Sequence, residues 1–135
     1  MAGRSVAEKL LIKQGYAVWV SDPARSGLIG ELPGGVRSAS GLAEADVAVI
    51  LVDDEAGLRS FAGAHRDVLG SPRALWLLYP KANRIALNRD SLWRLMADYG
   101  VRPITQVAVD EVWSALRFRP LTDQERASGS RWTAP

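Results

Sequence analysis

The chain has 135 residues, of which 47% are hydrophobic and 24% charged, proportions that support one packed core and exclude a mainly disordered or collagen-like polymer. It has no cysteine and a single histidine, His65, which removes disulfide frameworks, thiolate chemistry and any multi-histidine zinc site within one protomer. Lys+Arg of 17 against Asp+Glu of 15 leaves a net charge of +2, too small a surplus to favour nucleic acid on charge alone.

Ser5, followed three residues later by Glu8, reads as a capping box, so a first helix is expected to run toward Gly15. The absence of any run of about 18 apolar residues and of a leading hydrophobic stretch predicts no membrane span, no secretion signal and a cytoplasmic location. Tyr16 to Val20 is a short β-prone run. Asp22-Pro23 then reads as N-cap and first helical residue of a helix to Leu32, weakened by Gly27 and Gly30 and broken at Pro33. Val36 to Ala39 is expected as a short strand, with a helical turn from Leu42 to Ala45.

Asp46 to Val52 is almost wholly apolar, the pattern of a parallel strand covered on both faces. Asp54 caps the next helix, whose Leu58, Phe61, Ala62, His65, Val68 and Leu69 recur at helical spacing up to Gly70. Ala74 to Tyr79 is a second buried strand. A loop from Pro80 to Asn88 leads to a helix with Leu92, Leu95, Met96 and Tyr99 on one face, stopped by Gly100.

The pattern then changes. Val101 to Val109 and Val112 to Phe118 are β-prone and separated only by Asp110-Glu111, too short for a crossover helix, so they predict an antiparallel hairpin. Period-two alternation puts Ser114, Leu116 and Phe118 on one face and Trp113, Ala115, Arg117 and Arg119 on the other. Pro120 closes the strand, and residues 121–135 are expected to form a flexible tail beyond a single domain over residues 1–120.

This order predicts a three-layer α/β fold whose sheet is mostly parallel and ends in an antiparallel hairpin. It resembles a shortened class I S-adenosylmethionine-dependent methyltransferase fold, a Rossmann-like architecture in which a terminal hairpin also follows the parallel strands. A narrower likeness lies in A-L-W-L-L-Y-P-K (Ala74 to Lys81), L-N-R-D-S-L-W (Leu87 to Trp93) and V-A-V-D-E-V-W-S-A-L-R-F-R (Val107 to Arg119). These segments are similar to a small bacterial family of unknown function with a methyltransferase-like fold. The resemblance implies a fold and no activity.

Open parallel sheets hold ligands beyond the carboxyl ends of their strands. Asp22, Asp53, Tyr79 and Lys81 are therefore the candidate ligand-binding residues, joined by Ser21, Asp54 and Pro80. A methyltransferase of this kind uses a glycine-rich turn after its first strand and an acid after its second. Here the turn reads V-S-D-P-A-R-S-G and the second strand ends at Ser38-Ala39-Ser40, which predicts no cofactor, with S-adenosylmethionine as the alternative. Neither G-x-G-x-x-G nor a phosphate loop is present. The Asp53-Asp54 pair offers hard oxygens to a magnesium ion, yet helix capping accounts for it more simply, and no metal site is expected. Lys81 reads equally as an anion contact or a surface ion pair. His65 sits on an apolar stripe beside no nucleophile and reads as packing, so no catalytic residue is assigned. Trp19, Trp76 and Trp93 are expected in the core.

Trp113, Arg117 and Arg119 form the candidate partner surface, with guanidinium over indole as the expected contact and edge protection as the plainer account. The leading expectation is a noncatalytic binding or protein-interaction domain, with an unidentified protein or a second copy as partner. The alternatives are a small transferase using S-adenosylmethionine or a nucleotide, and a nucleic-acid-binding protein using the Trp113/Arg117/Arg119 face.

Overall fold

The computed structural model describes residues 6–80, 89–122 and 124. Its elements in chain order are α1 (Val6–Lys9), β1 (Ala17–Val20), β2 (Arg37–Ser38), β3 (Val47–Leu51), α2 (Glu55–Ala64), β4 (Ala74–Pro80), α3 (Arg89–Ala97), β5 (Val101–Ala108) and β6 (Trp113–Pro120). Three short 3-10 helices, at Pro23–Leu28, Leu42–Glu44 and Arg66–Val68, complete the connections.

The six strands form one sheet in the order β2-β1-β3-β4-β6-β5. β2, β1, β3 and β4 run parallel, while β6 lies antiparallel between β4 and β5. The two apolar runs behave as a doubly covered sheet requires: every residue of β3 and all of β4 from Ala74 to Tyr79 are buried. The chain reverses its direction of strand addition between β1 and β3, because β2 is added on one side of β1 and every later strand on the other. That reversal is the topological switch point, and it fixes where the loops part.

Each face carries its own core. Ile50, Leu58, Leu77, Leu92, Met96, Leu116 and Phe118 pack with α2 and α3 on one side. On the other, Leu10, Ile12, Ile29, Val49, Trp76, Leu78 and Ala115 pack beneath the N-terminal segment. The alternation expected along β6 is realised, with Leu116 and Phe118 in the first cluster and Ala115 and Trp113 in the second. Trp76 spans the second core, and its Nε1 donates to the Leu10 carbonyl at 2.9 Å.

Three local expectations are corrected. The first helix makes one turn only, because Leu11 adopts φ 65° and lets Leu10 and Ile12 both turn into the core, where they are 0% and 3% exposed. The stretch after Asp22-Pro23 is a 3-10 helix ending at Leu28, short of Leu32, and Gly30 then takes φ 76°. α2 ends at Ala64, and His65 starts the separate short turn before Gly70. The Ser5 cap, the loop from Lys81 to Asn88 and the tail residues 125–135 lie outside the described residues. No helix among the described residues is long and apolar enough to cross a membrane.

Candidate functional site

At the switch point, Ser21 follows β1 and Asp53 and Asp54 follow β3, as the strand ends require. Ser21 ties the two strands together: its N–H donates to the Val49 carbonyl, and its Oγ accepts the Leu51 N–H at 2.8 Å. A cavity of about 230 Å³ opens here, lined by Ser21, Ile50, Leu51, Asp53, Asp54, Gly57, Leu58 and Phe61. Asp54 caps α2 by accepting from the Gly57 N–H at 2.7 Å, so the helix-capping account of this residue holds. Among the described residues no group of three or more acidic or histidine side chains is placed to hold a metal ion.

Asp22 and Asp53 are brought together by a residue that the sequence reading passed over. Arg25, one turn beyond Asp22, donates Nε to Asp22 at 2.7 Å and Nη1 and Nη2 to the two oxygens of Asp53, each at 2.8 Å. The planar guanidinium meets one carboxylate in a two-pronged fork and the other side-on. Its hydrogen bond to Arg25 holds the Asp53 carboxyl below the usual aspartate range, and the bonds to Asp53 and then Asp22 push the Arg25 pKa upward. Asp22 also accepts from the Ala24 N–H at 3.2 Å, capping the 3-10 helix. Arg25 in turn lies 5.7 Å from the ring centroid of Trp113, within cation–π range.

Trp113 therefore belongs to the switch-point end of the molecule, and its guanidinium partner is Arg25. Arg117 and Arg119 lie toward the opposite end of β6, opposite Trp76 of β4 and Arg102 of β5 respectively. The expected grouping of Trp113, Arg117 and Arg119 shares a sheet face and makes no single surface spot. Tyr79 is 5% exposed and does not line the cavity; its hydroxyl accepts from Gln106 Nε2 at 2.7 Å. It is buried because β6 and β5 extend the sheet beyond β4. Lys81 lies outside the described residues. His65 stacks on Phe61 at 4.2 Å between centroids, with Trp19 5.8 Å from Phe61, so it packs an aromatic cluster behind the cavity wall.

No family model matches the chain, and no curated protein matches it. Solved structures do. A protein of the NADB-Rossmann superfamily from Streptococcus agalactiae superposes with a TM-score of 0.52 at 14% identity, over 96% of this chain and 76% of its own. A putative tRNA (m1A22) methyltransferase of Streptococcus pneumoniae gives 0.51 at 15%, over 97% and 78% of the respective chains. The m1A22 tRNA methyltransferase TrmK of B. subtilis gives 0.53 at 14%, over 99% and 71%. The fold is thus Rossmann-like and methyltransferase-like, with a mostly parallel sheet ending in an antiparallel hairpin.

Among the described residues, the side chains at the cavity are arranged to hold one another rather than a bound S-adenosylmethionine, the cofactor associated with folds of this kind. The cavity of about 230 Å³ is smaller than the roughly 300–1,000 Å³ of ordinary ligand pockets. Several polar atoms around it have internal partners: Ser21 Oγ accepts from Leu51, both Asp53 oxygens accept from Arg25, and Asp54 Oδ1 accepts from Gly57. Pro23 supplies no N–H at the first turn, and the amides of Ala24 and Arg25 are taken by Asp22.

Proposed function

We propose that the chain is a noncatalytic binding domain on a methyltransferase-like fold, engaging a partner through its surface. The observation that carries this reading is the Arg25 fork. Where a cofactor would need donors and acceptors, Arg25, Asp22 and Asp53 satisfy one another. The end of β2 at Ser38-Ala39-Ser40 agrees, since it offers no carboxylate to ribose hydroxyls. A second copy joined edge to edge is disfavoured, because the outer strand β5 carries Pro103 and a register irregularity between Pro103 and Thr105, both of which blunt an edge against strand addition. The partner contact in this reading uses a face.

A second reading is a small transferase using S-adenosylmethionine or a nucleotide, and the comparisons favour it over the first. Two neighbours with TM-scores above one half are by name tRNA methyltransferases, and the cavity occupies the switch point where such folds hold ligands. It requires Arg25 to release Asp53, which is 63% exposed; exposed pairs of this kind contribute about 0–1 kcal/mol, so a ligand is able to displace them.

Titration calorimetry with S-adenosylmethionine at millimolar concentration, on the wild type and on Arg25→Ala, separates the two. The first reading expects no saturable heat from the wild type. Saturable binding that Asp53→Ala abolishes while the variant still unfolds cooperatively overturns it in favour of the transferase.

A further inference from the structure

Arg25 joins three parts of the chain that lie far apart in sequence. Its Nε and Nη groups hold Asp22, after β1, and Asp53, after β3, while its guanidinium carbon lies 5.7 Å from the centre of the Trp113 ring at the start of β6. Asp53 also lines the switch-point cavity, so one carboxylate belongs both to that space and to the fork. Trp113 packs half-buried against the second core, and the turn before it is open to solution, with Val112 37% exposed. Asp110 shapes that turn: its Oδ1 accepts the Val112 and Trp113 N–H groups at 2.7 and 2.8 Å. The hairpin turn and the cavity are therefore connected through Arg25.

The connection is finely balanced. A carboxylate–guanidinium pair open to water and an exposed cation–π contact stabilise a side chain to a similar, small extent. The Arg25 side chain is 33% exposed and that of Asp53 63%, so the fork is not sheltered from solvent. Asp22 holds the Nε edge from the same turn of chain, which tethers the side chain and leaves its far end to be placed by Asp53 and by the Trp113 ring. Loss of the ring removes one of two restraints of comparable size.

We propose that Arg25 is a latch coupling the hairpin turn to the cavity, with Trp113 as its positioning residue: a contact made or lost at Trp113 changes whether the Asp53 carboxylate is held by Arg25 or released toward the cavity. The coupling is reciprocal, so a group that takes Asp53 from the cavity side also loosens Arg25 from Trp113. This latch goes beyond both readings of function and stands under either, since it concerns the chain's own side chains and no ligand.

The side-chain carboxyl carbon of Asp53, followed by NMR through an acid titration, reports the state of the latch, because the hydrogen bond from Arg25 holds its midpoint below the ordinary 3.8. The midpoint is expected to rise in Trp113→Leu, and to rise further toward 3.8 in Arg25→Ala. Trp113→Phe keeps an aromatic face for the guanidinium and should stay nearer the wild type than Trp113→Leu does. In an Arg25→Ala background Trp113→Leu should add nothing, which assigns its effect to Arg25 and not to a general loosening of the fold. Thermal melting establishes that each variant unfolds cooperatively, and Trp113→Met, which retains more apolar bulk against the core, replaces Trp113→Leu if that variant does not fold. A wild-type midpoint in the folded Trp113 variant overturns the proposal. So does an equal shift from that substitution with and without Arg25.

Discussion

Arg25 reaches two carboxylates that are far apart in sequence, and its chemistry sets the pH behaviour of the switch-point end. The folded pKa of Asp53 lies below the ordinary 3.8, chiefly through its hydrogen bond to Arg25. A depressed carboxylate pKa contributes stability above the unfolded value, and the contribution disappears as pH falls through the folded one. Arg25→Ala should therefore be less stable than the wild type at neutral pH by about 1 kcal/mol, a figure discounted for the exposure of Asp53. The difference should shrink at an acid pH well below 3.8, as the lowered Asp53 pKa is passed. Urea midpoints of the two proteins at both pH values check this; an unchanged difference on acidification would show that the fork contributes nothing through ionisation. A second residue-scale prediction concerns Trp76, whose indole N–H satisfies the buried Leu10 carbonyl. Trp76→Phe leaves that oxygen without its donor and should cost about 1–3 kcal/mol, read from thermal or urea unfolding.

Among the elements, glycines on and near α2 distinguish space from conformation. A Cβ at Gly63 meets nothing within 4 Å, so Gly63→Ala should stabilise α2 by up to about 1 kcal/mol. At Gly70 the same methyl would lie 2.8 Å from Pro120 Cγ, and Gly70→Ala should destabilise by about 1–3 kcal/mol because the ring has little freedom to retreat. Paired melting curves decide both signs; stabilisation by Gly70→Ala would mean that the contact with the end of β6 is loose. The apolar runs of β3 and β4 and the alternation of β6 were legible because burial on both faces leaves no other pattern. The one-turn α1 was not. Helical spacing around Leu10 is real, but tertiary burial of Leu10 and Ile12 together demands the left-handed Leu11 that no propensity foretells.

For the whole molecule, strand order decides which sequence signals meet. Asp22 and Asp53 could be placed at one end of the sheet from the sequence, because both follow strands that run in parallel. Tyr79 also follows that logic, and fails it because the hairpin returns β6 alongside β4 and seals the tyrosine from the cavity. Arg25 was visible as a basic residue three positions after Asp22, the spacing of one helical turn. Its second partner is 28 residues away and emerges only from the fold. Trp113 and Arg117, read as one surface from their alternation, are separated along β6 so that one serves the switch-point end and the other bonds to the Arg73 carbonyl just before β4.

A crystal structure grown in millimolar S-adenosylmethionine tests the closed crevice most directly. The expected result is Arg25 forked on Asp53 with no ligand density between Ser21 and Phe61. Density for the cofactor there, with Arg25 swung away from Asp53, would contradict it.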